Sequence, residues 1–534
     1  MSHESYIVRV YAVIFRIDIY ATTSRCAVTF RTMLFIVLLL IIGDALAISS
    51  PIQPFTAYRY STELEPDIAD LWWTVDIDAN EITFELHMKT TGWIALGISP
   101  GGGMKGADIG VGWVDNMGKV HFQDRYASDF AVPIIDNTTS NWLAQRGRES
   151  DGWTAIQFKR PLDTCDPMDV SIISGTNIVI YAYGLTDPVG DINYHQGRRG
   201  SRMIPLQSYA NPPLEKKFTD LDYFEFRMNN DVVPANDTTY YCRVFKAPTE
   251  YPIKRHAIAH KTLIDPNNID LVHHLVFFAC DPRAKFDDNN LPHGVRDEHY
   301  RELSACFTGT STIWAVGGEP LVEFPEEAGY PVSGDFASKY YMLEMHYNNP
   351  KLTPNRRDNS GIRFYIGEEL RQYDIGYISF GTVVNTLALA IPPNMERFNV
   401  DSYCPSGFSK GDEFATRCVY NTMNKNTVTL GGERTTEEMC FHQLTYYPRQ
   451  DNLGACFTLN HPDAWHAISN RALTTSNYTE IVDWINKIEW TPTLAAQWQE
   501  FYNNASRLVN YNGISETLDV LPKYKDLPIK SCQT

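Results

Sequence analysis

Two adjacent histidines, His273 and His274, stand inside the apolar run 271–280, which reads Leu-Val-His-His-Leu-Val-Phe-Phe-Ala-Cys. A short run rich in Val and Phe reads as a strand buried on both faces. An imidazole there needs a partner, because an orphaned buried polar group costs roughly 1–3 kcal/mol. Either each ring is bonded to backbone, or the pair holds a metal ion, for which neutral imidazole is the commonest ligand. A regular strand sends neighbouring side chains to opposite faces. A metal reading therefore needs a kink, a bulge or a strand end at this point. A third imidazole, His346, closes the strand-like stretch 340–347, where alternation puts Met342, Glu344 and His346 on one face. Alone, a histidine at a strand end is ordinarily just solvated. As a third nitrogen it completes a set suited to copper or zinc.

The elements around these residues read as all-β. The 534 residues are enough for about three domains. The chain holds 30 Tyr, 26 Phe, 33 Gly and 30 Pro, which favours many short strands and turns over long helices. A net charge of −18 argues against nucleic acid or an anionic membrane as the main partner.

Residues 33–42 are an unbroken apolar run, preceded by Arg25 and Arg31 and followed by Ala45-Leu46-Ala47. That is the pattern of a secretory signal, too short to span a bilayer comfortably. Residues 1–47 are therefore expected to be a signal peptide with an N-terminal extension. Translation from Met33 is one reading and an uncleaved anchor is another. Membrane association is expected only if the segment is retained, and the location is then the secretory pathway, secreted or in a vesicle lumen. Ten cysteines without a Cys-x-x-Cys pair fit an oxidising compartment and not a zinc ribbon. Sequons at Asn137, Asn236, Asn477 and Asn504 are candidate glycosylation sites.

Residues 55–210 read as a β-sandwich, with short aromatic and β-branched strands at 71–77, 82–88, 93–98, 109–114 and 120–123. Trp72, the strand Gly92-Trp93-Ile94-Ala95-Leu96-Gly97, Gly106-Ala107-Asp108-Ile109 before Trp113, and Asp163-Thr164-Cys165-Asp166 give this segment its likeness to a DOMON domain. Some DOMON domains bind haem through a Met and a His. Met104 and His195 are the residues for that here, although a turn Met and a loop His are common. Asn211-Pro212-Pro213 is a linker.

Beyond it, several motifs stand in order. His-His is followed six residues on by Cys280, then by Glu344-Met345-His346-Tyr347-Asn348-Asn349-Pro350, Ala390-Ile391-Pro392-Pro393, Gly431-Gly432, Glu437-Glu438-Met439-Cys440 and Tyr446-Tyr447-Pro448. From about residue 55 to near the C-terminus the chain resembles the copper type II ascorbate-dependent monooxygenases that carry a DOMON domain, the dopamine β-monooxygenase and DBH-like (MOXD) group.

The resemblance implies a DOMON sandwich at 55–210 and two jelly-roll-like copper domains, at 214–370 and 371–458. A partly helical tail follows at 459–534. It implies two coppers, ascorbate as reductant, dioxygen, and a small substrate, amines among the candidates, hydroxylated at an unactivated C–H bond. A homo-oligomer is compatible with it. One copper relays electrons from three histidines, which match His273, His274 and His346. The other, where dioxygen meets substrate, is held by a His-x-His pair and a methionine that matches Met439. A soft thioether there favours Cu(I). Tyr240 matches an active-site tyrosine. The same likeness pairs Cys165 with Cys532, Cys280 with Cys306, Cys404 with Cys456 and Cys418 with Cys440, leaving Cys242 over.

Two departures stand out. There is no His-x-His anywhere, and only residues 405–410 join the flanks between which the family carries it. Residues 373–448 number 76, against about 100 for a sandwich of this kind. Either strands and the second copper site were lost in the lineage, or a segment was dropped from the transcript; the intact motifs on both sides favour the second. His442, His461 and His466 lack the spacing to replace the pair. Where the catecholamine enzyme has a glutamate facing the amine, this chain has Ser379, and a hydroxyl cannot pair with an ammonium as a carboxylate does. The alternative to an impaired enzyme is an inactive, secreted copper- or ligand-binding protein.

Overall fold

The computed structural model describes residues 48–522, apart from 174, 208–212, 214, 308, 333–337, 410, 451–452 and 470–477. The expected signal segment, Asn477 and Cys532 lie outside the described residues. No helix among the described residues is long and apolar enough to cross a membrane.

Alternating apolar residues build the first sandwich. One antiparallel sheet runs Tyr60–Glu65, Ala69–Asp76, Glu81–Met88, Trp153–Pro161 and Leu143–Ser150 in spatial order. The facing sheet runs Arg199–Gln207, Gly175–Tyr183, Ile94–Ser99, Ala107–Val114, Val120–Ala127 and Ile134–Ile135. Leu71, Trp73, Phe84 and Leu86 from one meet Ile94, Leu96, Ile98 and Val179 from the other in a common core.

The second sandwich repeats the principle. One sheet contains Tyr223–Arg227, Gly361–Ile366, Arg255–Leu263, Ala328–Val332 and Tyr373–Asp374. The other runs His293–Val295, Thr238–Lys246, Tyr340–Asn348, Val272–Ala279 and Thr310–Ala315. Leu275, Phe277, Leu343 and Met345 point inward to Phe226, Ile362 and Phe364. Cys242, Val244, Phe278 and Met342 of the same sheet belong instead to a smaller apolar cluster closed by Cys280–Cys306.

In the third unit a single five-stranded sheet carries Phe441–Tyr446, Gly376–Thr382, Ala455–Asn460, Arg507–Tyr511 and Ile514–Leu518. The ribbon Phe398–Cys404 with Phe414–Tyr420 lies on it, tied by Cys404–Cys456 and sharing the core of Ile378, Phe380 and Val509. Cys418–Cys440 is a third disulfide among the described residues, and all three match the pairing implied by the resemblance.

Residues after 459 are not a separate tail. Thr491 caps the helix Pro492–Asn504 by accepting from the Leu494 amide, with proline in the first turn. That helix and Pro462–Ile468 bury Trp498 and Trp465 against Leu389, Ala390 and Ile391. The chain then returns to add two strands to the sheet. The boundary expected at 459 cuts through this unit, because the apolar face of the helices has its partner before 459.

Candidate metal centre

The strand Val272–Ala279 is not regular. Its pairing with Tyr340–Asn348 joins Val272 to Tyr347 and His274 to His346, so the register shifts across His273. Two residues oppose one, which is a β-bulge, and a bulge re-aims the side chains beside it. This is the irregularity that adjacent histidine ligands require. His274 Nδ1 lies 3.2 Å from His273 Nδ1 and 3.2 Å from His346 Nδ1. One ligand atom from each of the three rings falls within 4.8 Å of the others.

All three imidazoles are held neutral. Burial lowers His273. Burial, followed by the charges of His346 and His273, puts His274 well below the usual range. Burial, then His273 and Arg296, puts His346 at about 3. His346 is 1 % exposed and its Nε2 is a buried nitrogen without a hydrogen-bond partner. Such an orphan is costly in a finished core. Three neutral nitrogen donors, no carboxylate among them and one of them unpartnered, fit a copper ion.

Tyr240, on Thr238–Lys246, pairs with His346 across the sheet. Its ring stacks on the His346 ring at 4.5 Å and 11°. Its hydroxyl donates to the Glu433 carbonyl at 3.0 Å. Burial, with Glu433 and Glu344, pushes the phenol far above its ordinary range. Tyr240 is therefore a neutral donor touching a candidate ligand.

The sequence missed Arg296, the first residue of the helix Arg296–Leu303. Its guanidinium caps the other face of the Tyr240 ring at 4.3 Å. It pairs with Glu344 at 3.6 Å and with Glu433. Glu344 is pushed up to about 7 by burial, against the pull of Arg296. The free, buried Cys242 donates its thiol to the same carboxylate at 3.5 Å. The only signal in the sequence was the alternation that put Glu344 on the His346 face. An acid on a buried face calls for a cation, but nothing in the chain said which.

Met439 lies between the loop 431–438 and the strand Phe441–Tyr446, where its carbonyl accepts from the Tyr420 hydroxyl at 2.9 Å. The ligand group beside it in sequence is Cys418, Cys440 and His442, and its two sulfurs are already joined to each other. His461 caps the helix Pro462–Ile468 by accepting from the Asp463 amide at 3.3 Å, which is a structural role. Ser379 is 1 % exposed, between two neighbouring strands. Met104 and His195 line the same apolar cavity of about 660 Å³ in the first sandwich, with Trp93, Ile109 and Ile180.

Residues 224–354 match the model of the copper type II ascorbate-dependent monooxygenase N-terminal domain, and residues 405–469 that of its C-terminal domain. Residues 68–184 match the DOMON domain. The chain is 30% identical to DBH-like monooxygenase protein 1 of Gallus gallus over 448 residues, 71% of this chain and 71% of that one. It is 30% identical to DBH-like monooxygenase protein 1 of Homo sapiens over 500 residues, 77% of this chain and 79% of that one. Dopamine beta-hydroxylase of Canis lupus familiaris is 27% identical over 505 residues, 82% and 78% of the two chains.

Proposed function

The chain belongs to the copper type II ascorbate-dependent monooxygenase family, and from that premise we propose that it carries the electron-relay half of such an enzyme in working order and the hydroxylating half incomplete. The observation that carries this reading is the bulge at His273, which turns both adjacent histidines toward His346. His273, His274 and His346 hold the relay copper, which supplies one-electron chemistry with ascorbate as donor. In the complete reaction one oxygen atom of dioxygen enters a substrate C–H bond. The other leaves as water, with two electrons from ascorbate and two protons.

This chain's own residues divide that work. The neutral histidines offer lone pairs without first losing protons. Tyr240 covers the His346 ring and keeps water from it. Met439 stands where the family places its thioether ligand, without the His-x-His pair that would share the ion. The setting is the secretory pathway, with glycosylation at the exposed Asn137, Asn236 and Asn504.

A second reading is a copper-binding protein that has lost catalysis. The closure of the shortened unit favours it: Phe398–Cys404 pairs residue for residue with Phe414–Tyr420 across a nine-residue connection. Two measurements separate the readings. Sequencing the transcript across the codons for residues 404–412 shows whether a segment is missing. Copper content and ascorbate-dependent oxygen uptake of this 534-residue chain are expected to be about one ion and none. Two coppers with uptake would overturn the assignment of an incomplete second site.

Ser379 bears on substrate. With no carboxylate at that position, a form of the protein that contains the missing segment is expected to bind phenethylamines only at millimolar or weaker concentration, measured by calorimetry. Micromolar affinity would contradict this.

A further inference from the structure

Arg296, Tyr240 and His346 form a three-layer stack: a guanidinium over one face of a phenol, whose other face lies on a candidate copper ligand. Each layer comes from a different element. Arg296 opens a helix, Tyr240 lies on Thr238–Lys246 and His346 lies on Tyr340–Asn348. Strand pairing fixes the lower two layers. The top layer is held by three carboxylates: its neighbour Asp297 at 3.4 Å, Glu344 at 3.6 Å, and Glu433 on the loop 431–438 of the third unit. The same loop takes the Tyr240 hydroxyl through its Glu433 carbonyl, and Arg434 reaches back to Asp237 at 2.9 Å. The loop that leads to Met439 therefore clamps the stack that ends on His346.

We propose that Arg296 is a positioning residue for the three-histidine centre, pressing Tyr240 onto His346 and setting the charge beside the copper, with Glu433 of the third unit holding it in place. The sign follows from electrostatics. A fixed cation near a copper couple disfavours the more positive Cu(II) form and raises the reduction potential. A unit charge at this range changes a one-electron equilibrium by roughly tenfold, or about 59 mV. The planar cap matters separately, because an ammonium cannot lie flat on a ring as a guanidinium does.

The inference rests on the copper reading of the three histidines. Its test uses the full chain loaded with one equivalent of copper and titrated with a one-electron mediator while the Cu(II) EPR signal is followed. Arg296→Gln, which removes the charge and keeps a polar side chain, is expected to shift the equilibrium about tenfold toward Cu(II). Arg296→Lys is expected to keep the wild-type potential and to alter the shape of the EPR spectrum, since charge is retained and the cap is lost. If Arg296→Gln does not fold, the Lys variant decides alone, and a spectrum identical to wild type overturns the proposal. A folded Gln variant with the wild-type potential also overturns it. A wild-type chain that takes up no copper overturns both this inference and the reading beneath it, whereas copper uptake with an unmoved potential overturns this one only.

Discussion

Replacing His346 by alanine is expected to leave a folded chain that no longer retains copper. His346 contributes one of three nitrogens, and two remaining imidazoles on a bulged strand make a weak, open pair. Loss of a partner outside the ligand set already costs 10–100-fold in metal affinity, so loss of a ligand should cost about a hundredfold or more. The fold should survive, because Leu343, Met345 and Tyr347 on the other side of the same strand anchor it in the sandwich core. The readout is the melting temperature with and without copper. A ligand bound only by the native state at a hundred times its dissociation constant adds about 2.7 kcal/mol. Wild type should show that increment and His346→Ala should not. His442→Ala is the control. His442 sits with Cys418 and Cys440, whose sulfurs are already bonded to each other, so its loss should leave copper uptake unchanged. Equal copper stabilisation in wild type and His346→Ala would remove His346 from the ligand set.

Trp498→Ala is expected to unfold the third unit. The indole is 1 % exposed and packs on Trp465, Trp484, Trp490 and Phe501. Its N–H donates to the Ala390 carbonyl at 2.9 Å, joining the helix to a strand more than a hundred residues earlier. Truncating a buried tryptophan costs about 3–5 kcal/mol. Orphaning the Ala390 carbonyl adds about 1–3 kcal/mol. Against a whole-domain stability of about 5–15 kcal/mol, little remains. Proteolysis should then release fragments from residues 371–522 while the two sandwiches before them stay intact. Trp498→Phe keeps most of the volume and should lose less. A Trp498→Ala chain as resistant as wild type would mean that the helices are dispensable, as a tail would be.

These two residues mark where the sequence could and could not be read. The strand pattern of the first two units was legible, because alternation of apolar residues is a local signal and the sandwich uses it as written. The alternation at Met342, Glu344 and His346 survives intact in the structure. The bulge at His273 was not legible. It arises from register against a strand some seventy residues away, and nothing within residues 271–280 encodes it. Arg296 was hidden for the same reason, since its significance comes from Tyr240, Glu344 and Glu433, each on a different element. The helix beginning at Pro492 was readable from its cap and its spacing. Its docking was not, because an amphipathic helix states that it has an apolar face without saying what covers it.

The third unit shows the opposite case. Loss of the His-x-His pair was plain from residues 405–410, while the consequence for Met439 needed coordinates. The ligand group next to it in sequence is a closed disulfide and His442, a set with a single imidazole.

The claim on which the account depends is that three imidazoles bind one copper ion. Pulsed EPR of the chain carrying one equivalent of Cu(II) counts the nitrogens coupled to the ion. The account predicts three histidine rings in wild type and two in His273→Ala. A wild-type spectrum showing one ring or none, or a His273→Ala spectrum identical to wild type, would contradict it.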